Sequence, residues 1–147
     1  MKSTSIRLRA SALTCSLSLS LTLSLSLSLS NAIAADAENL PSGVKILHTK
    51  VGAGENPKPT DTVKVHYKGT LSDGKEFDSS YKRNAPATFP LNRVVPCWTE
   101  GVQKLKVGGK ATLTCPPATA YGERGAGGVI PPNATLTFEI ELLAIEK

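Results

Sequence analysis

Residues 63–80 read Val63-Lys64-Val65-His66-Tyr67-Lys68-Gly69-Thr70-Leu71-Ser72-Asp73-Gly74-Lys75-Glu76-Phe77-Asp78-Ser79-Ser80. Val63, Val65 and Tyr67 alternate with Lys64, His66 and Lys68, the pattern of a strand with one buried face. The Asp73-Gly74 pair then reads as a hairpin turn, since both residue types tolerate the positive φ a tight turn needs. The alternation returns at Ala111, Leu113 and Cys115, interleaved with Thr112 and Thr114. It is clearest at the end, where Leu136, Phe138, Ile140 and Leu142 face away from Thr135, Thr137, Glu139 and Glu141. A single helix is expected: Pro96 sits near its start, Trp98, Val102 and Leu105 share a face, and Gly108-Gly109 stop it. Together these elements predict an α+β domain, an antiparallel sheet covering one short amphipathic helix. Strand signals begin at Val44, so 36–43 is expected as a short mobile lead-in. Segments 51–61, 79–87 and 116–134 are Pro/Gly-rich or polar and read as loops. No internal repeat and no second domain is read.

The chain has 147 residues, with 17 Lys+Arg against 12 Asp+Glu and a formal charge of +5. Much of that excess lies in the first residues. Lys2, Arg7 and Arg9 form a basic start, an apolar stretch follows, and Asn31-Ala32-Ile33-Ala34-Ala35 offers small residues, the layout of a secretory signal peptide. Cleavage is expected after Ala34 or Ala35, making 1–35 the signal peptide and 44–147 the folded domain. The three basic residues leave with it, so the remaining 14 positive and 12 negative groups give a net charge of about +2. A nearly neutral domain makes no electrostatic case for nucleic acid. Ser16 to Ser30 alternates Leu and Ser; inside a domain this would suggest a strand, but here it fits a low-complexity hydrophobic region. A membrane span wants about 20 mostly apolar residues, so stable insertion is not expected. A lipid anchor at Cys15 fits poorly, because the apolar run follows that cysteine.

Without Cys15, the exported chain keeps an even pair, Cys97 and Cys115, in a setting where disulfides persist. A bond between them is expected; two buried free thiols or a metal site are the alternatives. The metal reading is weak, because two cysteines without nearby His or carboxylate partners cannot fill a tetrahedral zinc shell. There is no G-x-x-x-x-G-K-[ST], and Gly125-Ala126-Gly127-Gly128 precedes a strand rather than opening a helix. His48 and His66 read as histidines on polar strand faces. No G-x-S-x-G or Cys/His nucleophile pattern stands out. Asn133-Ala134-Thr135 is a glycosylation sequon, relevant only in a eukaryote.

Three blocks carry a resemblance. Val65-His66-Tyr67-Lys68-Gly69-Thr70-Leu71 leads through Asp73-Gly74 to Phe77-Asp78-Ser79-Ser80. Val94-Val95-Pro96-Cys97-Trp98-Thr99-Glu100-Gly101 covers the helix. Ala120-Tyr121-Gly122, then Ile130-Pro131-Pro132-Asn133-Ala134-Thr135-Leu136-Thr137-Phe138-Glu139, closes the chain. In this order and spacing they resemble the FKBP-type peptidyl-prolyl cis-trans isomerases, over roughly residues 44–146. The resemblance implies a five- to six-stranded antiparallel sheet wrapped around the helix, with an aromatic pocket between them. Carried over, Tyr67, Phe77, Asp78, Trp98, Tyr121 and Phe138 would be the catalytic set. Arg83, Phe89, Val94, Val95 and Ile130 would bind substrate. Trp98 would be the floor under the substrate proline. Val95 would offer its backbone N–H, and Tyr121 its hydroxyl, to ligand carbonyls. Asp78 would accept a hydrogen bond, its carboxylate held by Tyr67 and Arg83. Ala87 stands where many members have a pocket-edge Phe, and Ala126 where some have His. The stretch Asn92-Arg93 is about two residues shorter than in cytosolic single-domain forms, and Cys97 replaces a usual Gly. Val-Pro-x-Trp-Thr-Glu is similar to the exported, macrophage-infectivity-potentiator subgroup, whose helical dimerisation arm has no counterpart ahead of Val44. A monomer is expected.

That activity suits the residues. The X-Pro bond rotates over a barrier of about 18–20 kcal/mol because resonance flattens the amide, and its two isomers differ by only about 0.5–1 kcal/mol. A catalyst therefore needs no energy source. A planar amide is more dipolar than a twisted one, so an apolar pocket disfavours the ground state relative to the transition state. No cofactor, metal or nucleophile is called for. The expected role is a prolyl isomerase acting on proline-containing polypeptides during folding of exported proteins, with macrolide inhibitors as further ligands and the periplasm, or a secretory lumen in a eukaryote, as its place. The alternative is a non-enzymatic peptide-binding chaperone or scaffold with the same pocket.

Overall fold

The computed structural model describes residues 36–147; the expected signal peptide, with Cys15, lies outside the described residues. Seven strands and one helix make up the domain: β1 (Ala37–Asn39), β2 (Lys45–Lys50), β3 (Thr62–Leu71), β4 (Glu76–Ser79), β5 (Ala87–Pro90), α1 (Pro96–Val102), β6 (Lys110–Cys115) and β7 (Leu136–Glu146). All pair antiparallel in the order β1-β2-β6-β7-β3-β4. β5 shares an edge of β3 with β4: β5 lies opposite Thr62–Val65, and β4 opposite Lys68–Thr70. This is the expected α+β architecture, with seven strands rather than five or six.

The alternation read from sequence is the alternation of burial. Val63, Val65 and Tyr67 of β3, Ala111, Leu113 and Cys115 of β6, and Leu136, Phe138, Ile140 and Leu142 of β7 all face the core. Each large aliphatic side chain withdrawn from water contributes roughly 1.5–3 kcal/mol before the entropy of ordering is counted. Trp98 and Val102 of α1 fill the other side of that core.

Two expectations are corrected. The stretch 36–43 is not only a lead-in: Ala37–Asn39 forms β1, paired from Ala37↔Leu47 to Asn39↔Lys45. The helix also ends at Val102, well before Gly108-Gly109. Leu105 stays buried, but in the turns that follow, where Lys104 and Leu105 donate N–H bonds to Gly101 and Val102. Gly108, at φ +86°, then reverses the chain into β6. Segment 116–134 carries two short 3-10 turns, Pro117–Thr119 and Gly122–Arg124.

The two remaining cysteines are joined. Cys97, at the second position of α1, and Cys115, the last residue of β6, form a disulfide with their Cα atoms 5.7 Å apart.

Candidate functional site

Between α1 and the sheet lies an open cavity of about 380 Å³, lined by Tyr67, Phe77, Asp78, Phe89, Arg93, Val94, Val95, Trp98, Tyr121 and Phe138. The chain has seven Phe, Tyr and Trp side chains in all, and only Tyr81 is missing from this lining. That concentration follows from register. Tyr67 and Phe138 sit on the core-facing phase of β3 and β7, Phe77 and Phe89 come from the strands on the free edge of β3, and α1 lays Trp98 across them.

The rings meet edge to face. Trp98 contacts Tyr67, Phe89 and Phe138 with centroids 5.3–5.4 Å apart, and Phe77 meets Phe138 at 5.6 Å. Each such pair is worth about 0.5–1.5 kcal/mol beyond area burial, so the apolar wall is held in shape before any ligand arrives. The indole N–H of Trp98 is buried with no acceptor among the described residues.

Gly69 makes the Phe77–Phe138 pair possible. It stands in register between Asp78 on β4 and Phe138 on β7. A Cβ there would lie 2.5 Å from Phe77 Cζ and 3.0 Å from Phe138 Cε1. Gly69→Ala must therefore displace a cavity ring. It should cost roughly 1–3 kcal/mol of stability and weaken peptide binding. Urea unfolding beside a peptide titration checks this, and an unchanged affinity would show that the ring positions do not matter.

One wall is polar. The Tyr67 hydroxyl donates to Asp78 Oδ2 at 2.5 Å, Arg83 Nη1 donates to Asp78 Oδ1 at 2.5 Å, and Arg83 Nη2 donates to the Tyr67 oxygen at 2.9 Å. The guanidinium also lies 5.6 Å from the Tyr67 ring centroid, within cation–π range. Burial pushes the Asp78 carboxyl up, but the hydrogen bonds from Tyr67 and Arg83, with the Arg83 charge, outweigh it and hold the group below its ordinary 3.8. Burial first, then donation to Asp78, raises the Tyr67 phenol above its ordinary 10.0. Both shifts favour one state, a neutral phenol beside a carboxylate.

The pH dependence follows in sign. A depressed carboxyl pKa stabilises the fold above the unfolded-state value, and that contribution is lost as pH falls through the folded value. A raised phenol pKa stabilises below about pH 10. The triangle should therefore leave ligand binding flat from about pH 5 to about pH 9, with losses only outside. Peptide binding across that range tests it; a step near neutrality would mean another group governs the site.

Ser80 holds Tyr67 from behind. Its fully buried hydroxyl accepts the Tyr67 N–H at 2.8 Å and lies 2.9 Å from His66 Nδ1, while its own N–H donates to the Tyr67 carbonyl at 2.9 Å. Of the residues singled out from sequence, Tyr67, Phe77, Asp78, Phe89, Val94, Val95, Trp98, Tyr121 and Phe138 line the cavity. Arg83 does not line it, and reaches it through Asp78 and Tyr67. Ile130 does not line it either: it is buried, and its N–H and carbonyl both bond to Ala126, closing a turn. Arg93 was not singled out, yet it lines the site. An arginine in a polar loop carries no pattern that marks it, whereas Ser80 stood in the Phe77-Asp78-Ser79-Ser80 block.

Comparison with known proteins bears on this geometry. Residues 53–143 match the model of the FKBP-type peptidyl-prolyl cis-trans isomerase family. The chain is 56% identical over 117 residues to the FKBP-type peptidyl-prolyl cis-trans isomerase FkpA of Aeromonas hydrophila, covering 80% of this chain and 43% of that one. It is 56% identical over 108 residues to FK506-binding protein 1A of Emericella nidulans, covering 70% of this chain and 98% of the other. Among solved structures, FkpA from Escherichia coli superposes with a TM-score of 0.72 at 49% identity, over 75% of this chain and 51% of that one. The chain thus spans well under half the length of the first bacterial relatives it matches, 43% and 38%.

Proposed function

Because the chain belongs to the FKBP-type peptidyl-prolyl cis-trans isomerase family, we propose that this domain itself catalyses X-Pro rotation in polypeptide substrates during folding of exported proteins. The observation that carries the reading is the cavity: Tyr67, Phe77, Phe89, Trp98 and Phe138 hold one another edge to face in an apolar cup, with Tyr121 at its rim and a single ordered polar wall.

In this reading the proline ring rests on Trp98, between Tyr67, Phe89 and Phe138. The Val95 N–H has no acceptor among the described residues and is free to take a peptide carbonyl. Tyr121, exposed at the rim, offers its hydroxyl to another. Removing the amide from water raises the energy of its dipolar planar form more than that of the twisted form. The polar wall faces the twisting bond, and the Asp78 carboxylate meets charge shifts with little reorganisation because its oxygens are already held. No step needs a covalent intermediate.

Export, to the periplasm in a bacterium, rests on the reading of residues 1–35 and agrees with a buried Cys97–Cys115 bond, which persists in oxidising compartments. No helix among the described residues is long and apolar enough to cross a membrane. A monomer that also accepts macrolide inhibitors completes the proposal.

The test is direct. Exchange between cis and trans in a short X-Pro peptide, followed by NMR, should accelerate far beyond the uncatalysed tens to hundreds of seconds when the oxidised protein is added. Binding without acceleration would replace the enzyme with a peptide-binding chaperone.

A further inference from the structure

We propose that Arg93 makes this site selective for prolines flanked by an acidic residue. The inference rests on the isomerase reading and adds the substrate class. Only two of the lining residues carry a charge at neutral pH, Asp78 and Arg93. Asp78 is committed: one oxygen is held by Tyr67 and the other by Arg83, whose own charge cancels it. Arg93 takes part in none of the ion pairs formed among the described residues. The cavity mouth therefore presents one uncompensated positive charge.

Its placement makes the charge useful. Arg93 ends the short turn Leu91–Arg93, and the chain then runs extended through Val94 to Val95, whose N–H is free at the cavity wall. A peptide carbonyl bound at Val95 sets the substrate backbone two residues from Arg93. That is within reach of a long guanidinium side chain for a carboxylate on the residue next to the proline. Arginine suits this contact because its planar fork can bind a carboxylate through two N–H groups. A neutral or basic neighbour gains nothing there, and a basic one is repelled. The mouth stays in contact with solvent, so the preference is modest, about two- to fivefold as for an exposed ion pair, and salt weakens it.

The experiment uses capped peptides that place Glu or its neutral isostere Gln immediately before or immediately after the proline. Each Glu/Gln ratio of kcat/KM is measured by NMR exchange, and each ratio of Kd by quenching of Trp98, the single tryptophan of the chain. With the oxidised wild type at low ionic strength, the ratio should favour Glu about two- to fivefold at one or both positions. It should fall to near one in about 1 M salt, where the Debye length is only about 3 Å. Arg93→Gln should bring the ratio to one, and Arg93→Glu should invert it, a change of sign that a purely structural role would not produce. Ratios of one at both positions, or a Glu preference that survives Arg93→Gln, overturn the proposal while leaving the isomerase reading intact. Failure to accelerate either peptide, with binding ratios still governed by Arg93, overturns the isomerase reading instead.

Discussion

Replacing Cys97 and Cys115 together by alanine lowers the stability of the domain by about 3 kcal/mol, the chain-entropy value for a closed loop of this length. The two residues lie 18 apart in sequence. For a domain of this size the loss corresponds to a fall in Tm of roughly 10–20 °C. Location matters as much as magnitude. Cys97 directly precedes Trp98, which lines the cavity, and Cys115 directly precedes the segment that carries Tyr121 to the rim. The bond therefore ties two walls of the cavity together, and its removal should also weaken peptide binding at temperatures where the variant remains folded. Both cysteines are fully buried, so a reductant reaches them only through opening of the structure, and the native protein should be reduced slowly. Thermal melts with and without reductant, alongside the double variant, measure the effect. Equal Tm values, or two titratable thiols in the unfolded and unreduced protein, would sink it.

The largest effect on turnover is expected at Asp78. In Asp78→Ala the Tyr67 hydroxyl loses its acceptor and Arg83 its counter-charge, leaving two polar groups misdirected at the cavity wall. A hydrogen bond to a charged group is worth about 1.5–3 kcal/mol, and losing one of that size from the transition state lowers kcat/KM by about ten- to a hundredfold. Stability should change little, because the Asp78–Arg83 pair is roughly half-exposed and its charge is well screened. Tyr67→Phe removes one hydroxyl and keeps the ring packed on Trp98, so a milder loss is expected. The double variant should lose less than the product of the two, since both act on one network. Exchange spectroscopy on an X-Pro peptide, with circular dichroism to confirm the fold, gives the numbers. Full activity in Asp78→Ala would remove the polar wall from the mechanism.

Much of this was legible in residue order because it rests on period-2 alternation. β3, β6 and β7 are long enough to show it, and Asp73-Gly74 marks its own turn. β1 and β5 are three and four residues long, too short for any period to emerge; each exists because a longer strand offers it backbone partners. The end of α1 is hidden in the sequence for a related reason. Gln103, Lys104 and Leu105 are acceptable in a helix and keep the apolar spacing, so nothing local announces that the chain turns at Gln103. The aromatic lining was legible only through its ordered blocks, because burial in a core and exposure to a cavity leave the same trace in a strand. Arg93 and the turn closed by Ile130 depend on how loops fold back over the sheet, which no local pattern encodes.

The outermost strands of the sheet are its shortest, with three residues in β1 and four each in β4 and β5, while β3 and β7 at the centre run ten and eleven. If the proposed function holds, the domain meets unfolded segments ready to add themselves to any bare strand, the route by which sheets seed co-aggregation. Rims this brief offer a visiting chain only a few backbone partners before the sheet ends. Under the proposed function, a client would be held by its proline and released without being zipped onto the sheet.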